Sequence, residues 1–192
     1  MTRIIAGLAR GRKIAVPPEG TRPTSDRARE GLFSSLQVRY GFEGEIVLDL
    51  FAGSGAMGLE ALSRGARSVD FVESNEDAVS VIQRNIATVK LTGTQVHHMK
   101  TSSFLSAAGA KRYTMVLADP PYELADDAFT DIAEALIPHL DNGAVVVFER
   151  DSAGPETVWP AGYEAVEIKL KKRTYGAARF DSAIFHHPDA GE

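Results

Sequence analysis

The 192-residue sequence predicts an open, mostly parallel α/β sheet with helices on both faces. Three observations carry that prediction. From Gly44 onward, short apolar runs alternate with amphipathic helical patterns, the order that parallel strands and their crossover helices require. The run Val47-Leu-Asp-Leu-Phe-Ala-Gly-Ser-Gly-Ala-Met-Gly58 reads as a buried strand, a glycine turn and the start of a helix. Near the end, Val166, Ile168 and Leu170 alternate with charged residues ahead of the apolar Ala183-Ile-Phe185. This predicts a closing antiparallel hairpin with one strand inserted between others.

The individual elements follow in chain order. Arg3 to Val16 suggests two short strands around a glycine-containing bend, stopped by Pro17-Pro18. Thr24 or Ser25 can cap a helix whose apolar face is Ala28, Leu32, Phe33 and Leu36, with Arg27 and Arg29 falling away from much of that stripe. Strands are expected at Ile46–Leu50, Ser68–Glu73, Thr94–Met99, Thr114–Ala118 and Ala144–Glu149. Between them lie helices over Gly55–Arg64, after an Asn75 cap (Val79, Ile82, Ile86, Val89), and along Phe129, Ile132, Ala133, Leu136 and Leu140. The organisation expected is a basic N-terminal extension over 1–38, one main domain over 39–188 and a tail at 189–192.

Composition narrows the function. There is no cysteine, hence no disulfide, zinc ribbon or thiol nucleophile, and the five histidines have no metal-ligand spacing. No apolar run approaches the length of a membrane span, which predicts a cytoplasmic protein. The net charge of −5 is uneven: residues 1–39 carry eight basic against three acidic side chains, and Lys169, Lys171, Lys172, Arg173 and Arg179 form a second basic stretch without an acid. Two basic segments flanking an acidic body suit an enzyme that must orient a nucleic acid, although each can also be a solvated face.

The glycine turn is the first candidate site. Gly53, Gly55 and Gly58 satisfy the dinucleotide pattern, and Glu73 ends the next strand twenty residues past Gly53. Asp49 argues against a dinucleotide. At the end of the strand its charge would repel a pyrophosphate and attract a ligand bearing an ammonium and a sulfonium, as S-adenosylmethionine does. The carboxylate of that ligand can still use N–H groups at the helix N-terminus. Alternatively, Asp49 only ties down the turn and the glycines only permit close packing.

The second candidate is Asp119-Pro-Pro-Tyr122, directly after an apolar strand. Carboxyl ends of parallel strands share one edge, so this tetrapeptide should meet the glycine turn. Two prolines remove N–H donors and leave carbonyls outward, giving a cluster of acceptors beside an aromatic ring. That suits methylation of an exocyclic amine, whose lone pair is delocalised into the base. Asp119 and the Pro120 carbonyl, each accepting one N–H, would let the nitrogen direct its lone pair at a methyl group while Tyr122 stacks on the base. A pyrimidine C5 methyltransferase that attacks through cysteine is excluded.

Here the sequence resembles a family. Asp49–Gly58 and Asp119–Tyr122 look like the first and fourth motifs of amino-group methyltransferases. Arg3-Ile-Ile-Ala-Gly7, Gly11-Arg12, Arg22-Pro-Thr24, Arg27, Arg29-Glu30, Leu32-Phe33 and Tyr175-Gly176 resemble bacterial small-subunit ribosomal RNA guanine-N2 methyltransferases of the RsmD type. The resemblance implies a Rossmann-like class I methyltransferase fold with a mostly parallel seven-stranded sheet. It implies S-adenosylmethionine held by Asp49, Phe51, Gly53, Ser54, Gly55 and Glu73. The target guanine, of the guanine-966 N2 type, would lie at Asp119, Pro120, Pro121 and Tyr122. It also implies RNA contacts from Arg3, Arg10, Arg12, Lys13, Arg22, Thr24, Arg27, Arg29, Lys172 and Arg173. The substrate implied is 16S ribosomal RNA within a partly assembled small subunit, modified by a monomer without metal. Where related enzymes often place an acid after the third strand, this chain has Lys100-Thr-Ser-Ser-Phe104, so adenine contacts fall to Ser102 or Ser103. A DNA or tRNA amino-methyltransferase, a nicotinamide-dependent oxidoreductase and a non-catalytic RNA-binding assembly factor remain alternatives.

Overall fold

The computed structural model describes residues 1–18, 24–107 and 109–189; Arg22 lies outside them. The chain runs β1 (Thr2–Arg3), β2 (Lys13–Ile14), α1 (Asp26–Arg39), β3 (Ile46–Leu50), α2 (Ala56–Ser63), β4 (Ser68–Glu73), α3 (Glu76–Val89) and β5 (Thr94–His98). It continues α4 (Thr101–Ser106), β6 (Tyr113–Ala118), α5 (Asp126–Leu136), β7 (Leu140–Asp151), β8 (Tyr163–Ala165), β9 (Thr174–Tyr175) and β10 (Ala178–Phe185). The main sheet has the order β5-β4-β3-β6-β7-β10-β8, with β9 paired to β10. The first five of these strands are parallel and β10 is antiparallel to both its neighbours. The expected inserted strand is therefore β10, which lies between β7 and β8.

Two apolar layers cover the sheet. One face packs Val47, Val69, Phe71, Met115 and Leu117 against α1, α2 and the N-terminal ribbon, and the other packs Leu48, Leu50, Val116 and Val146 against Phe129, Ala133 and Leu136 of α5. This two-sided burial explains why the parallel strands read as continuous apolar runs.

The N-terminal ribbon is fastened by polar groups that α2 and α3 present to its backbone. The buried Glu60 carboxylate accepts the N–H groups of Ile5 and Ala6 at 2.8 and 3.0 Å. The Ser63 hydroxyl accepts from Ala9 N–H at 2.9 Å and donates to the Ala6 carbonyl at 2.6 Å. On α3, Asn85 accepts from Ala15 N–H and donates to the carbonyls of Ala15 and Ser54, joining the ribbon to the glycine turn. Ile4, Ala9 and Ile14 are fully buried beneath these bonds. Ser25 caps α1 through Ala28 N–H, and Leu32, Phe33 and Leu36 seat the helix in the core.

Three elements differ from the sequence expectation. The strand paired to β10 is Tyr163–Ala165, and Leu170–Lys172 is a turn of 3-10 helix with Leu170 54% exposed. The ladder ends because Arg173 Nε donates to the Ile168 carbonyl at 3.1 Å while β9 takes over the pairing at Ala178. The α5 helix stops at Leu136 because Pro138 has no N–H to continue it, and β7 begins at Leu140 rather than Ala144. Thr101–Ser106, for which no helix was expected, is the short helix α4.

Replacing Glu60 by alanine leaves two N–H groups and the Arg64 guanidinium, 2.9 Å from the carboxylate, without their acceptor. We expect a loss of about 2–4 kcal/mol in urea unfolding. A change below about 0.5 kcal/mol would show that the ribbon is not held this way.

Candidate active site

Strand register builds the site. Leu50 pairs with Val72 on β4 and Ala118 on β6, and Ala118 pairs with Phe148 on β7. The residues one step further, Glu73, Phe51, Asp119 and Glu149, therefore form a row along the carboxyl edge of the sheet. Three of the four are acids.

Above this row lie two adjoining cavities of about 490 and 520 Å³ that share Phe51, Glu73 and Ser74. The first is lined by Gly53, Ser54 and Ala56 of the turn, by Asp119 to Tyr122, and by Thr2, Val16, Pro17, Thr24 and Arg29 from the N-terminal segment. The ribbon and the start of α1 thus wall the same cleft as the two motifs. The second cavity is largely apolar, with Val72, Leu105, Leu124 and Ile132, edged by Lys100, Thr101, Ser102 and Ser106. Ser102 lines it; Ser103 is exposed and outside the lining.

The turn itself is a strained, bonded loop. Phe51 has φ 56°, a left-handed conformation uncommon for a side chain of its size, and it lines both cavities. Gly55, at φ 78°, opens α2, and a Cβ on Gly58 would lie 2.4 Å from the Phe71 ring. Glu73 accepts the N–H groups of Gly53 and Asn75 at 2.8 and 2.9 Å, which fixes the turn against β4.

Asp49 is placed differently from the sequence expectation. It is 1% exposed, lines neither cavity, and accepts Gly58 N–H at 2.9 Å. Burial pushes its carboxyl well above the ordinary range; the Gly58 N–H opposes this, and the charges of Asp119 and Glu73 reinforce it. From beneath the turn, its carboxyl ties Gly58 to β3.

Asp119 stands at the floor of the first cavity, with Pro120 buried and Tyr122 46% exposed. Burial raises its carboxyl to about 6, against the downward pull of hydrogen bonds from Thr24 and Glu149. Thr24 Oγ1 lies 2.9 Å from Asp119 Oδ2 and also contacts Glu149 Oε2.

The basic residues divide. Arg3, Arg10, Lys13, Arg27 and Lys172 are exposed, and Arg12 is exposed with its guanidinium on the Val89 carbonyl. Thr24, read as an RNA contact, has its hydroxyl on the carboxyl groups of Asp119 and Glu149. Arg29, also read as one, is 1% exposed and bonded to the Arg3 carbonyl and Thr2. Arg173 is held by Asp181 and Glu156, so its charge is spent within the fold. Tyr175 sits on α1 where a Cβ on Gly31 would be 2.2 Å from its ring, which brings the Lys172 turn beside the N-terminal helix. For Glu149 the sequence offers one signal, its position at the end of a strand near the crevice, which allows a substrate contact but favours a cap or salt bridge; for Asn85 it offers none.

Sheet order and edge geometry define the class I methyltransferase fold. A solved candidate methyltransferase of Escherichia coli, yhhF, superposes with a TM-score of 0.81 at 32% identity, covering 96% of this chain and 98% of that one. The family profile described as conserved hypothetical protein 95 matches residues 2–182, and the chain belongs to that family. The candidate rRNA methyltransferase YlbH of Bacillus subtilis is 36% identical over 91% of this chain and 94% of its own length. Ribosomal RNA small subunit methyltransferase D of Haemophilus influenzae is 41% identical over 69% and 70%.

The raised Asp119 carboxyl gives a stability prediction. Between the ordinary carboxylate value and about 6, the folded protein holds a proton that the unfolded chain has released, so stability falls as pH rises through this window. Asp119→Asn should therefore be more stable than the parent at pH 7.5, by about 1–3 kcal/mol, with the gap closing as the pH falls toward 4. A variant less stable at pH 7.5 would contradict the cost assigned to that charge.

Proposed function

We propose that the protein transfers a methyl group from S-adenosylmethionine to the exocyclic N2 amine of a guanine in small-subunit ribosomal RNA. The observation that carries the reading is the cleft itself, where an acceptor cluster and a glycine turn meet over acids with Arg29 the only Arg or Lys lining the first cavity among the described residues. Such a floor disfavours a pyrophosphate and favours a cationic donor. The names of the family relatives support RNA of the small subunit over DNA.

The residues present fit S-adenosylmethionine. The glycine turn and the N-terminus of α2 would take its methionyl part, with Glu73 on the ribose side and the Leu105, Ile132 and Ser102 cavity around the adenine. When bound, this group supplies an electrophilic methyl on a sulfonium. Asp119 and the Pro120 carbonyl each accept one N–H of the guanine amine, holding the lone pair in line with the methyl. In that transfer the S–C bond would break with its electron pair left on sulfur, and the new ammonium would release one proton to solvent without a strong base. Tyr122, reaching out of the cleft, stacks on the swung-out base and offsets part of the unstacking cost of about a few kcal/mol. Arg3, Arg10, Lys13, Arg27 and Lys172 contact phosphates around the mouth.

Asp119→Ala should lower kcat by about 10²–10³-fold while calorimetric affinity for S-adenosylmethionine stays within about threefold. For the parent, kcat should fall as the pH drops through about 6, because Asp119 accepts only when ionised. Unchanged turnover in the variant refutes the acceptor role. Replacing Arg10 and Lys13 by alanine should flatten the slope of log affinity against log salt by about 1.4–1.8. An unaltered slope would place the RNA elsewhere.

A further inference from the structure

Thr24 and Glu149 have no part in the methyl transfer as described, yet they surround its central carboxylate. Thr24 Oγ1 is 2.9 Å from Asp119 Oδ2 and in hydrogen-bond contact with Glu149 Oε2, and Glu149 is also hydrogen-bonded to Asp119. These contacts join residues 95 and 125 positions apart, so they belong to the closed fold rather than to local chain geometry.

A hydroxyl carries one proton and can donate it to one acceptor. Asp119 and Glu149 are hydrogen-bonded to each other, and an ionised carboxylate only accepts, so one of the two carboxyl groups must be the donor. The cluster therefore holds one proton beyond that of Thr24. Its position follows from burial. Glu149 is 4% exposed and lies outside the first cavity, whereas Asp119 faces it. The neutral form belongs at the drier position and the charge at the wetter one. Two donors then converge on Asp119, the Glu149 carboxyl and the Thr24 hydroxyl, the latter at Oδ2. With Oδ2 so engaged, the carboxylate is held in one orientation and its other oxygen is the one a substrate amine must use.

We propose that Thr24 and a protonated Glu149 are positioning residues that keep Asp119 ionised and aimed at the amine. This rests on the reading of Asp119 as the amine acceptor. It also gives the N-terminal segment a role in catalysis as well as in RNA binding, since Thr24 immediately precedes the cap of α1. Glu149 acts as a proton donor, so an amide can take its place.

The test uses the full chain with labelled S-adenosylmethionine and undermethylated small subunits, with Asp119→Ala run alongside. Thr24→Val and Glu149→Leu should each lower kcat by about 10–100-fold, with KM for subunits and affinity for S-adenosylmethionine within about twofold. Thr24→Ser and Glu149→Gln should each recover most of the lost turnover. Combining Thr24→Val with Glu149→Leu should cost little more than either change alone, because each releases the same carboxylate from its orientation. A Glu149→Gln enzyme as impaired as Glu149→Leu overturns the proposal, since the charge would then matter and not the donor. A Thr24→Val defect confined to KM overturns it too, placing Thr24 on the RNA. Where Thr24→Val or Glu149→Leu fails to fold, the conservative variants decide, and a fall beyond about tenfold in either contradicts the proposal. If Asp119→Ala retains activity, it is the acceptor reading that fails, a result distinguishable from the others.

Discussion

Parallel register gathers acids on one edge of this sheet, and their mutual repulsion is the constraint to which the rest of the site responds. Glu73, Asp119 and Glu149 end adjacent or nearby strands in a single row, and Asp49 lies buried just below. Buried like charges stay together only when they are bonded, protonated or matched by a cation. The first of these is visible here, and the cleft leaves room for the last. Glu73 and Asp49 are bonded to backbone N–H groups of the glycine turn, Asp119 and Glu149 are linked through Thr24, and the open cleft above can receive a cationic ligand.

This arrangement gives the N-terminal segment a structural meaning. Glu60, Ser63 and Asn85 bind its backbone, and it contributes Thr2, Val16, Pro17, Thr24 and Arg29 to the wall of the first cavity. The segment is part of the pocket, and RNA held by its exposed arginines would lie next to Asp119. Asn85 adds a further link, since one side chain bonds both Ala15 and the carbonyl of Ser54 in the turn.

Features legible in the sequence are those whose chemistry is local. The strand, turn and helix over Val47–Gly58 and the tetrapeptide Asp119–Tyr122 could be read because each is contiguous and its geometry is set by glycine or proline. Parallel strand order gave their shared edge. What could not be read depends on distant pairing. Arg29 counts as one more positive charge in the sequence, but the fold turns it inward onto the Arg3 carbonyl, and Arg173 is likewise consumed by Asp181 and Glu156. The alternation of Val166, Ile168 and Leu170 imitates a strand, yet Arg173 takes the Ile168 carbonyl and the chain leaves the ladder. Thr24 and Glu149 meet only because the segment entering α1 reaches the carboxyl edge, a contact that no local pattern encodes.

The claim on which the account turns is that the amine presented to Asp119 is the N2 of guanine in small-subunit RNA. Undermethylated small subunits, protein-free 16S RNA and duplex DNA can be supplied side by side with labelled S-adenosylmethionine, then digested to nucleosides and separated. The account predicts label in N2-methylguanosine from the RNA samples and none from DNA. Label in another nucleoside, or in DNA, would contradict it.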